Sequence, residues 1–460
     1  MAYSASAHDP EPREAGPGGL GACPQDPTES VDLNESDDSE KKDGSNIFVT
    51  LLRTRDTGKD PGPPPDGGFQ AWVQVVLGHL VMFNTWGYVN SYGVFQSHYT
   101  KALDRPPSDI AWMGSVQIFL LFFVGTFSGR ATDAGWFRLV FLSGVCLQLL
   151  GLFTASAATK YYQVFLSQGI CVGLGNGMMV CPSISVVAPY FIKNRGFALG
   201  TVATGAATGG LVYPALASRL LPVIGYPWTM RVLGFVTLAT HIPSFLFFRP
   251  RFPPRKAGPV VEWEAFKEAP YVLFMVGMFF NFWGLYIAFF YLGTFGRDEF
   301  GLAQSSSTDL LMIQNGLGIP ARIIPTFFAD RYVGIMNSLV PFSLGCAICM
   351  YCWAAVSSIP GLYVFSVFNG IVAAGIQSFF PSTVTVLTDD MTKTGVRLGM
   401  VFSFVSFACL TGPPLAGALI QLNDGHYFYT QMFAGSSILL GFFLVFASRV
   451  KKKGFRMVKI

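Results

Sequence analysis

The chain has 460 residues, of which 51% are hydrophobic and only 13% are charged, whereas soluble domains carry roughly 25% charged residues. This composition excludes an ordinary soluble protein and predicts an all-α membrane protein, in which apolar runs cross the bilayer as helices. The formal net charge of +4 does not support nucleic-acid binding, because most basic residues lie where they would set membrane topology.

The first 68 residues differ in composition from the rest of the chain. Fourteen of the 27 acidic residues lie between Asp9 and Asp66, among many Pro, Gly and Ser residues. Such a segment cannot bury enough apolar surface to fold alone, so residues 1–68 are predicted to form a disordered cytoplasmic tail. No apolar stretch of the secretory-signal type follows Met1.

Twelve apolar runs follow, and each is long enough to cross a bilayer core of about 30 Å as a helix. Six fall in residues 69–250 and six in residues 270–450, with a cytoplasmic linker at 251–269 and a basic cytoplasmic tail at 451–460. We number the runs spans 1 to 12 and predict them near residues 70–95, 110–130, 138–157, 161–187, 196–220, 227–248, 270–295, 306–328, 334–356, 359–387, 397–421 and 427–449.

The basic residues predict the orientation of these spans. If both termini are cytoplasmic, 21 Lys and Arg residues flank the inner ends of the spans and six flank the outer ends. Because cytoplasmic loops carry an excess of basic residues, the sequence predicts a multi-pass protein with both termini inside. We expect the plasma membrane as its location and the lipid bilayer as its main partner.

Several features of the first half return in the second half at nearly constant distance. The word FNTWG at residues 83–87 returns as FNFWG at residues 280–284, and Asp133 after span 2 is matched by Asp330 after span 8. Both pairs are 197 residues apart. The sequence therefore predicts two six-helix pseudo-repeats in parallel orientation, as in major facilitator transporters, with a substrate site between the halves near the midplane.

The eight cysteines do not predict a disulfide framework, since seven lie inside apolar runs. Cys346, Cys349 and Cys352 have a metal-like spacing, but a helix turns through about 300° between successive members and no His or acidic residue lies nearby. We interpret them as packing residues, so neither a metal nor a cofactor is expected. No G-x-x-x-x-G-K-[ST] segment occurs, which argues against ATP-driven transport.

Span 8 contains the most informative charge of the chain. Arg322 lies about one third of a span from the inner end, and a lone Arg in hydrocarbon costs roughly 2.5–3.5 kcal/mol. It is therefore expected to face a wet cavity or an anion, and its guanidinium suits a carboxylate. Gln314, Asn315 and Arg322 share one helix face. The alternative is a structural partner such as Asp330.

Amide side chains in other spans are further candidates for substrate binding. Each of them can instead form a hydrogen bond between helices, and this alternative stays open. The repeated words also lead us to expect that Asn84 and Asn281 face each other across the central cavity. The candidate substrate-binding residues are Arg322, Asn315, Gln314, Asn84, Asn90, Asn281, Asn176 and Gln377.

A second set of residues is expected to control conformational change. Asp66 precedes span 1, where its carboxylate is expected to cap the first helical turn. Span 5 carries Gly196-x-x-x-Gly200 and Gly205-x-x-x-Gly209, which are spacings for close helix packing, either static or sliding. The set is Asp66, Asp133, Arg138, Asp330, Arg331, Gly200 and Gly209.

Three segments extend the repeat argument to a family. PDGGFQAWVQVV occupies Pro65–Val76, YFIKNRGFALG occupies Tyr190–Gly200, and TGPPLAG occupies Thr411–Gly417. The loops after spans 2 and 8 keep a worn form of G-x-x-x-D-R-x-G, in which no Arg follows Asp133. Together these segments resemble the monocarboxylate transporter family of the major facilitator superfamily, in the sequence variant that is found in its fungal members.

The resemblance implies a substrate-binding role for Arg322, because family members carry such an Arg in span 8. The chain also departs from the animal members. Asn90 stands where they have a Lys, and Gly318 stands where they have an Asp; those two residues belong to proton coupling in that family. The remaining titratable candidates inside the spans are His79 and His241, so the role of protons stays open.

The function expected from these observations is secondary-active transport of a carboxylate-bearing small organic solute by alternating access. Import and export are both open, and the alternatives are an exporter of a secondary metabolite or a carrier of a vitamin-like compound. A non-transporting receptor that signals through the N-terminal tail is a further alternative. An enzyme is not expected, because no nucleophile with a base occurs in the spans.

Overall fold

The computed structural model describes residues 62, 64–251, 261–389 and 393–454. Every regular element in this part of the chain is helical, and it contains no β-strand. Most of the predicted N-terminal tail, part of the linker and residues 455–460 lie outside the described residues. The prediction of an all-α membrane fold is confirmed.

The helices follow the predicted spans closely. Span 1 is two helices separated at Ser91, span 4 contains a π-helical stretch, and spans 5 and 6 are continuous except at Gly225. The helices are Gly68–Asn90, Tyr92–Ala102, Pro107–Ala131, Phe137–Ala155, Tyr161–Val164, Phe165–Cys171, Val172–Val187, Arg195–Phe247, Ala269–Phe300, Gln304–Phe328, Ile335–Trp353, Ile359–Leu387, Thr394–Leu422 and Phe428–Lys453.

Eight helical stretches of the described chain are long and apolar enough to cross a membrane. Two of them hold two spans each, because a glycine with positive φ breaks the helix: Gly135 (φ 92°) in Ser108–Ala155 and Gly225 (φ 73°) in Arg195–Phe247. The more polar spans 1 and 8 complete the set of twelve. Polarity in these two spans is a first indication that they face something other than lipid.

The two halves meet through pseudo-equivalent pairs of spans. Span 2 packs against span 11, and span 8 packs against span 5. Since span 8 corresponds to span 2 and span 5 to span 11, the interface has the pseudo-symmetry that the repeat predicts.

The start of span 1, the end of span 12 and the loops before spans 5 and 11 lie on one side, which we call the termini face. There the amide of Asp66 donates to the carbonyl of Tyr190 (3.1 Å), and Lys452 pairs with Asp389 (2.9 Å). Hydrogen bonds between the halves close the other side, which we call the opposite face: Ser97 bonds Gln304 (3.0 Å) and Ser108 bonds Gln421.

Candidate functional site: a central cavity with one arginine

A cavity lies between the two halves. It encloses about 700 Å³ of space between protein atoms when the open solvent at its mouth is included. Its walls come from spans 1, 2, 4 and 5 of the first half and from spans 7, 8, 10 and 11 of the second. This is the position that the repeat predicts for a substrate site.

The cavity continues toward the termini face. A second cavity of about 630 Å³ adjoins it, shares Leu199 and Ser382 with it, and is lined by Lys193, Arg195 and Asp330. Those charged residues belong to the loops and helix ends of the termini face. The structure therefore shows a state in which the central cavity leads toward the termini.

Toward the opposite face the cavity is roofed by contacts between the halves. Asn90 Nδ2 donates to Asn315 Oδ1 (3.1 Å) and to the carbonyl of Ala206 (3.2 Å), which joins spans 1, 5 and 8. Above them the rings of Tyr92 and Phe290 lie 5.1 Å apart. Asn90 and Asn315 thus lie in the roof and not in the cavity wall.

Aromatic rings from both halves form most of the cavity wall. Trp86 stacks on Tyr286 with 6.0 Å between ring centroids, and Phe282 lies 4.9 Å from Phe380. Such faces favour a substrate with a flat or apolar body. The aromatic lining residues are Trp86, Phe122, Phe282, Tyr286, Phe380 and Phe402.

Arg322 is the one charged residue of the cavity wall among the described residues. Its side chain is 3% exposed, and it donates to Gln377 Oε1 (2.8 Å) and to the carbonyl of Gly318 (3.3 Å). No ion pair of the described chain includes Arg322, so the alternative of a structural partner such as Asp330 is not what the structure shows. A guanidinium held in this way keeps donors free for a carboxylate.

Three further polar groups line the cavity without a hydrogen-bond partner among the described residues. They are the hydroxyl of Tyr286, Nε2 of Gln377 and the hydroxyl of Ser378. Buried polar groups are normally satisfied, so these three groups are available to hydrogen-bond water or a bound molecule. Tyr286 and Ser378 were not predicted, although Tyr286 stands one helical turn after Phe282.

The other amides lie elsewhere. Gln314 and Asn176 are buried, do not line the cavity, and have no partner for either side-chain polar atom in the described chain. The two histidines also lie outside the cavity wall: His79 contacts Thr208 (3.0 Å), and His241 contacts Gln148 (2.8 Å).

The expectation that Asn84 and Asn281 face each other across the cavity is wrong. Asn84 Oδ1 accepts from Tyr213 (2.9 Å) and Thr240 (2.8 Å), both in the first half. Asn281 Oδ1 accepts from Ser343 (2.6 Å) in the second half. Each amide is fully buried and hydrogen-bonds to a neighbouring helix of its own half.

The two loop aspartates each contact the helix start of the opposite half. The carboxylate of Asp330 lies against Gly196 in the first turn of span 5, where a Cβ would overlap it. The carboxylate of Asp133 lies 3.7 Å from the Cβ position of Gly395, in the first turn of span 11. A carboxylate at a helix start is favoured by the helix dipole, so both aspartates lie where a helix of the opposite half attracts a negative charge.

Asp66 does not cap span 1, because its carboxylate accepts from the backbone N–H groups of Ile192 and Lys193 instead. The bond from Ile192 holds the pKa of Asp66 below its ordinary value. The segment before span 1 is thereby fastened to the loop that enters span 5.

The glycines of span 5 allow close contact with two different helices. A Cβ on Gly200 would stand 2.8 Å from Thr326 Oγ1 in span 8, across the interface between the halves. A Cβ on Gly209 would stand 2.7 Å from the Cα of Gly87 in span 1. Two gating candidates remain. The guanidinium carbon of Arg331 lies 5.6 Å from the ring centroid of Tyr332. Arg138 lies at the start of span 3.

The sequence interpretation missed an ion network on the termini face. Arg397, at the start of span 11, donates to Glu262 (2.8 Å) and to Glu268 (2.8 Å), and Lys393 pairs with Glu262 (2.8 Å). Hydrogen bonding from Arg397 holds the pKa of Glu262 below its ordinary value. The signal was present as three acidic residues before span 7 and two basic residues at the start of span 11, but the basic residues were interpreted only as topology signals.

In the described chain, the two pseudo-equivalent halves and the cavity between them are typical of a membrane carrier. The family model described as "Major Facilitator Superfamily" matches residues 76–396, so the chain belongs to this superfamily of transporters.

Curated relatives and a solved structure agree with this assignment. The chain is 45% identical to an "MFS-type transporter" of Gibberella zeae, over 86% of this chain and 90% of that protein. It is 34% identical to the "Aspyridones efflux protein apdF" of Emericella nidulans, over 84% and 79%. The crystal structure of the human organic anion transporter MFSD10 covers 82% of this chain with a TM-score of 0.62 at 15% identity; this likeness shows the fold.

Proposed function

We propose that the protein is a secondary carrier for an organic acid whose carboxylate pairs with Arg322 and whose apolar body packs on the aromatic wall. The observation that carries this proposal is the buried Arg322 in the cavity wall, which has no acidic partner among the described residues. A buried cation of this kind is costly unless an anion pairs with it. A substrate carboxylate supplies that anion.

The lining supports a substrate larger than the smallest monocarboxylates. Aromatic faces from both halves suit a molecule with a ring system. Tyr286, Gln377 and Ser378 offer donors and acceptors to its polar groups. The resemblance to monocarboxylate transporters supports the acid, and the aromatic wall supports an acid of the secondary-metabolite type.

We propose export across the plasma membrane, with both termini cytoplasmic. The excess of basic residues at the inner ends supports this orientation. In this orientation the cytoplasmic side of the protein is the side that we call the termini face. The cavity then loads from the cytoplasm in the state described. One relative is named as an efflux protein for aspyridones, which supports export.

The proposed transport step is a rocking of residues 69–250 against residues 270–450. The loading state is held together at the opposite face by the bond between Asn90 and Asn315, while Asp133 and Asp330 lie at the starts of spans 11 and 5 on the termini face. Opening to the outside breaks this bond and lets span 5 slide on span 8 along its glycines.

The test is flux of aromatic acids in proteoliposomes containing the full chain. Candidate substrates come from comparing metabolites inside and outside cells with and without the protein, and benzoate serves as the simplest aromatic carboxylate. We expect Arg322→Gln to lower the apparent affinity at least roughly 30-fold, because truncating one partner of a buried charge pair costs roughly 2–5 kcal/mol. Arg322→Lys, which keeps the charge but not the planar fork, is expected to lose less.

Arg231→Gln is the matched control. Arg231 also lies in a span, but it stacks on Trp228 (4.9 Å) away from the cavity, so flux should be unchanged. Undiminished flux of an acid through Arg322→Gln would refute the role of Arg322, and cells that retain no acid when the protein is absent would refute export.

A further inference from the structure

The charge of Arg322 is compensated by no acidic group of the cavity wall. The lining contains no Asp, Glu or His among the described residues, and the one titratable side chain that faces Arg322 is Tyr286. The neighbours that do accept from Arg322 are neutral: Gln377 Oε1 and the carbonyl of Gly318. The empty cavity therefore carries one net positive charge.

This charge has unequal consequences for the loaded and the empty carrier. In the open state described, water in the cavity reaches only the 3% of Arg322 that is exposed, and rocking passes through a closed state in which the cavity sheds this water too, as its apolar aromatic wall favours. With an acid bound, guanidinium and carboxylate form a neutral pair during this passage. Without an acid, a bare cation must be enclosed, which is costly.

We infer that the protein works as an exchanger of organic anions: it rocks readily with an anion on Arg322 and only slowly when empty. Export of one acid is then coupled to entry of another anion. The inference rests on the proposed function, because it assumes that the anion carried is the one Arg322 binds. It adds the mode of coupling, which requires neither a proton nor ATP.

Gly318 provides a specific way to change the coupling. A Cβ added to Gly318 would stand 2.6 Å from Nη1 of Arg322, which is the flexible end of a side chain that can shift. Gly318→Asp therefore places a carboxylate beside the guanidinium and neutralises the empty cavity. Gly318→Asn adds the same bulk without the charge and is the matched control.

The first test compares uptake of labelled benzoate by two kinds of proteoliposome, one preloaded with unlabelled benzoate and one without internal anion. A barrier difference of about 2.7 kcal/mol corresponds to roughly 100-fold in rate, so we expect uptake to be about 100-fold faster into preloaded vesicles. Gly318→Asp should bring the ratio close to one, and Gly318→Asn should keep it. Equal rates in the wild type would overturn the inference.

The second test needs no substrate. Dyes attached through unnatural amino acids at positions 160 and 358, both exposed at the opposite face, report switching of single molecules without disturbing the native cysteines. In the empty protein Arg322→Gln and Gly318→Asp should switch roughly 100-fold more often than the wild type, and Gly318→Asn should not. Equal switching in the wild type and in Arg322→Gln would overturn the inference.

The two tests separate the inference from the proposed function. One outcome is that no acid is transported but neutralising Arg322 accelerates switching. The proposed substrate class is then wrong, and the inference that the charge of Arg322 slows switching of the empty carrier is supported. If acids are transported at equal rates into loaded and empty vesicles, the proposed function stands and exchange fails.

Discussion

Neutralising Glu262 tests whether the ion network on the termini face holds the linker to span 11. Glu262 receives two hydrogen bonds from Arg397, at 2.8 and 3.4 Å, and one ion pair from Lys393 at 2.8 Å. Its side chain is 8% exposed, and that of Arg397 is 6% exposed. Glu262→Gln removes the charge and keeps the shape.

The expected loss of unfolding free energy follows from these contacts. Stripping the partner from a buried ion costs roughly 3–5 kcal/mol, but Glu268 continues to pair with Arg397 (2.5 Å) in this variant. Surface pairs contribute about 0–1 kcal/mol. We therefore expect a loss of about 2 kcal/mol, between the two limits. Glu264→Gln is the control: Glu264 is 74% exposed and 3.9 Å from Lys393, so at most about 0.5 kcal/mol should be lost.

The assay is reversible unfolding of the purified full chain in mixed micelles, followed by tryptophan fluorescence between pH 4 and 8. Because the pKa of Glu262 is lowered in the folded protein, its stabilising effect is present above the pKa of the unfolded chain, about 4.3, and is lost as the pH falls through the folded value. The difference between wild type and Glu262→Gln should therefore be full at pH 7 and persist at pH 5. Equal losses for Glu262→Gln and Glu264→Gln would refute the reasoning.

Three further predictions follow from single contacts. Gly209→Ala should sharply lower the yield of folded protein, because its Cβ would overlap the backbone of Phe83, whereas Gly316→Ala, with 3.6 Å to its nearest neighbour, should not; equal yields would contradict the close packing. Asp66→Asn should increase deuterium exchange of the N–H of Ile192, whose hydrogen bond to the carboxylate weakens; unchanged exchange would contradict it. Flux of a fully ionised acid should be constant between pH 6 and 8, because no described group of the cavity wall titrates there; flux that rises as the pH falls would indicate proton coupling.

The fold and the position of Arg322 in the wall of a cavity could be predicted from the sequence, because both follow from the cost of polarity in lipid. Apolar runs of about 20 residues have few alternatives to membrane helices, and the 197-residue distance between the loop aspartates located the two halves. Arg322 was recognisable because a lone charge in a span needs a functional or structural partner. The structure then showed that Arg322 forms no ion pair with an acidic residue of the described chain.

The contacts of individual amides could not be predicted in the same way. A helical sequence shows which residues share a face, but it does not show which neighbouring helix that face meets. Asn84 was therefore compatible with the cavity and with the interior of its half. Glu262 was similarly ambiguous, since its partner Arg397 is 135 residues away and local pattern does not specify such a pairing.

The repeat is best preserved where each half folds and is broken where the substrate is proposed to bind. Gln117 packs against Gly173 as Gln314 packs against Gly370, and these pairs keep the 197-residue distance. At the same distance, the counterpart of Arg322 is Gly125, which packs against Cys181. A single cation in one half fits an asymmetric substrate with one acidic end. Departures from the repeat in cavity-facing spans are therefore a better indicator of the substrate site than the repeated words themselves.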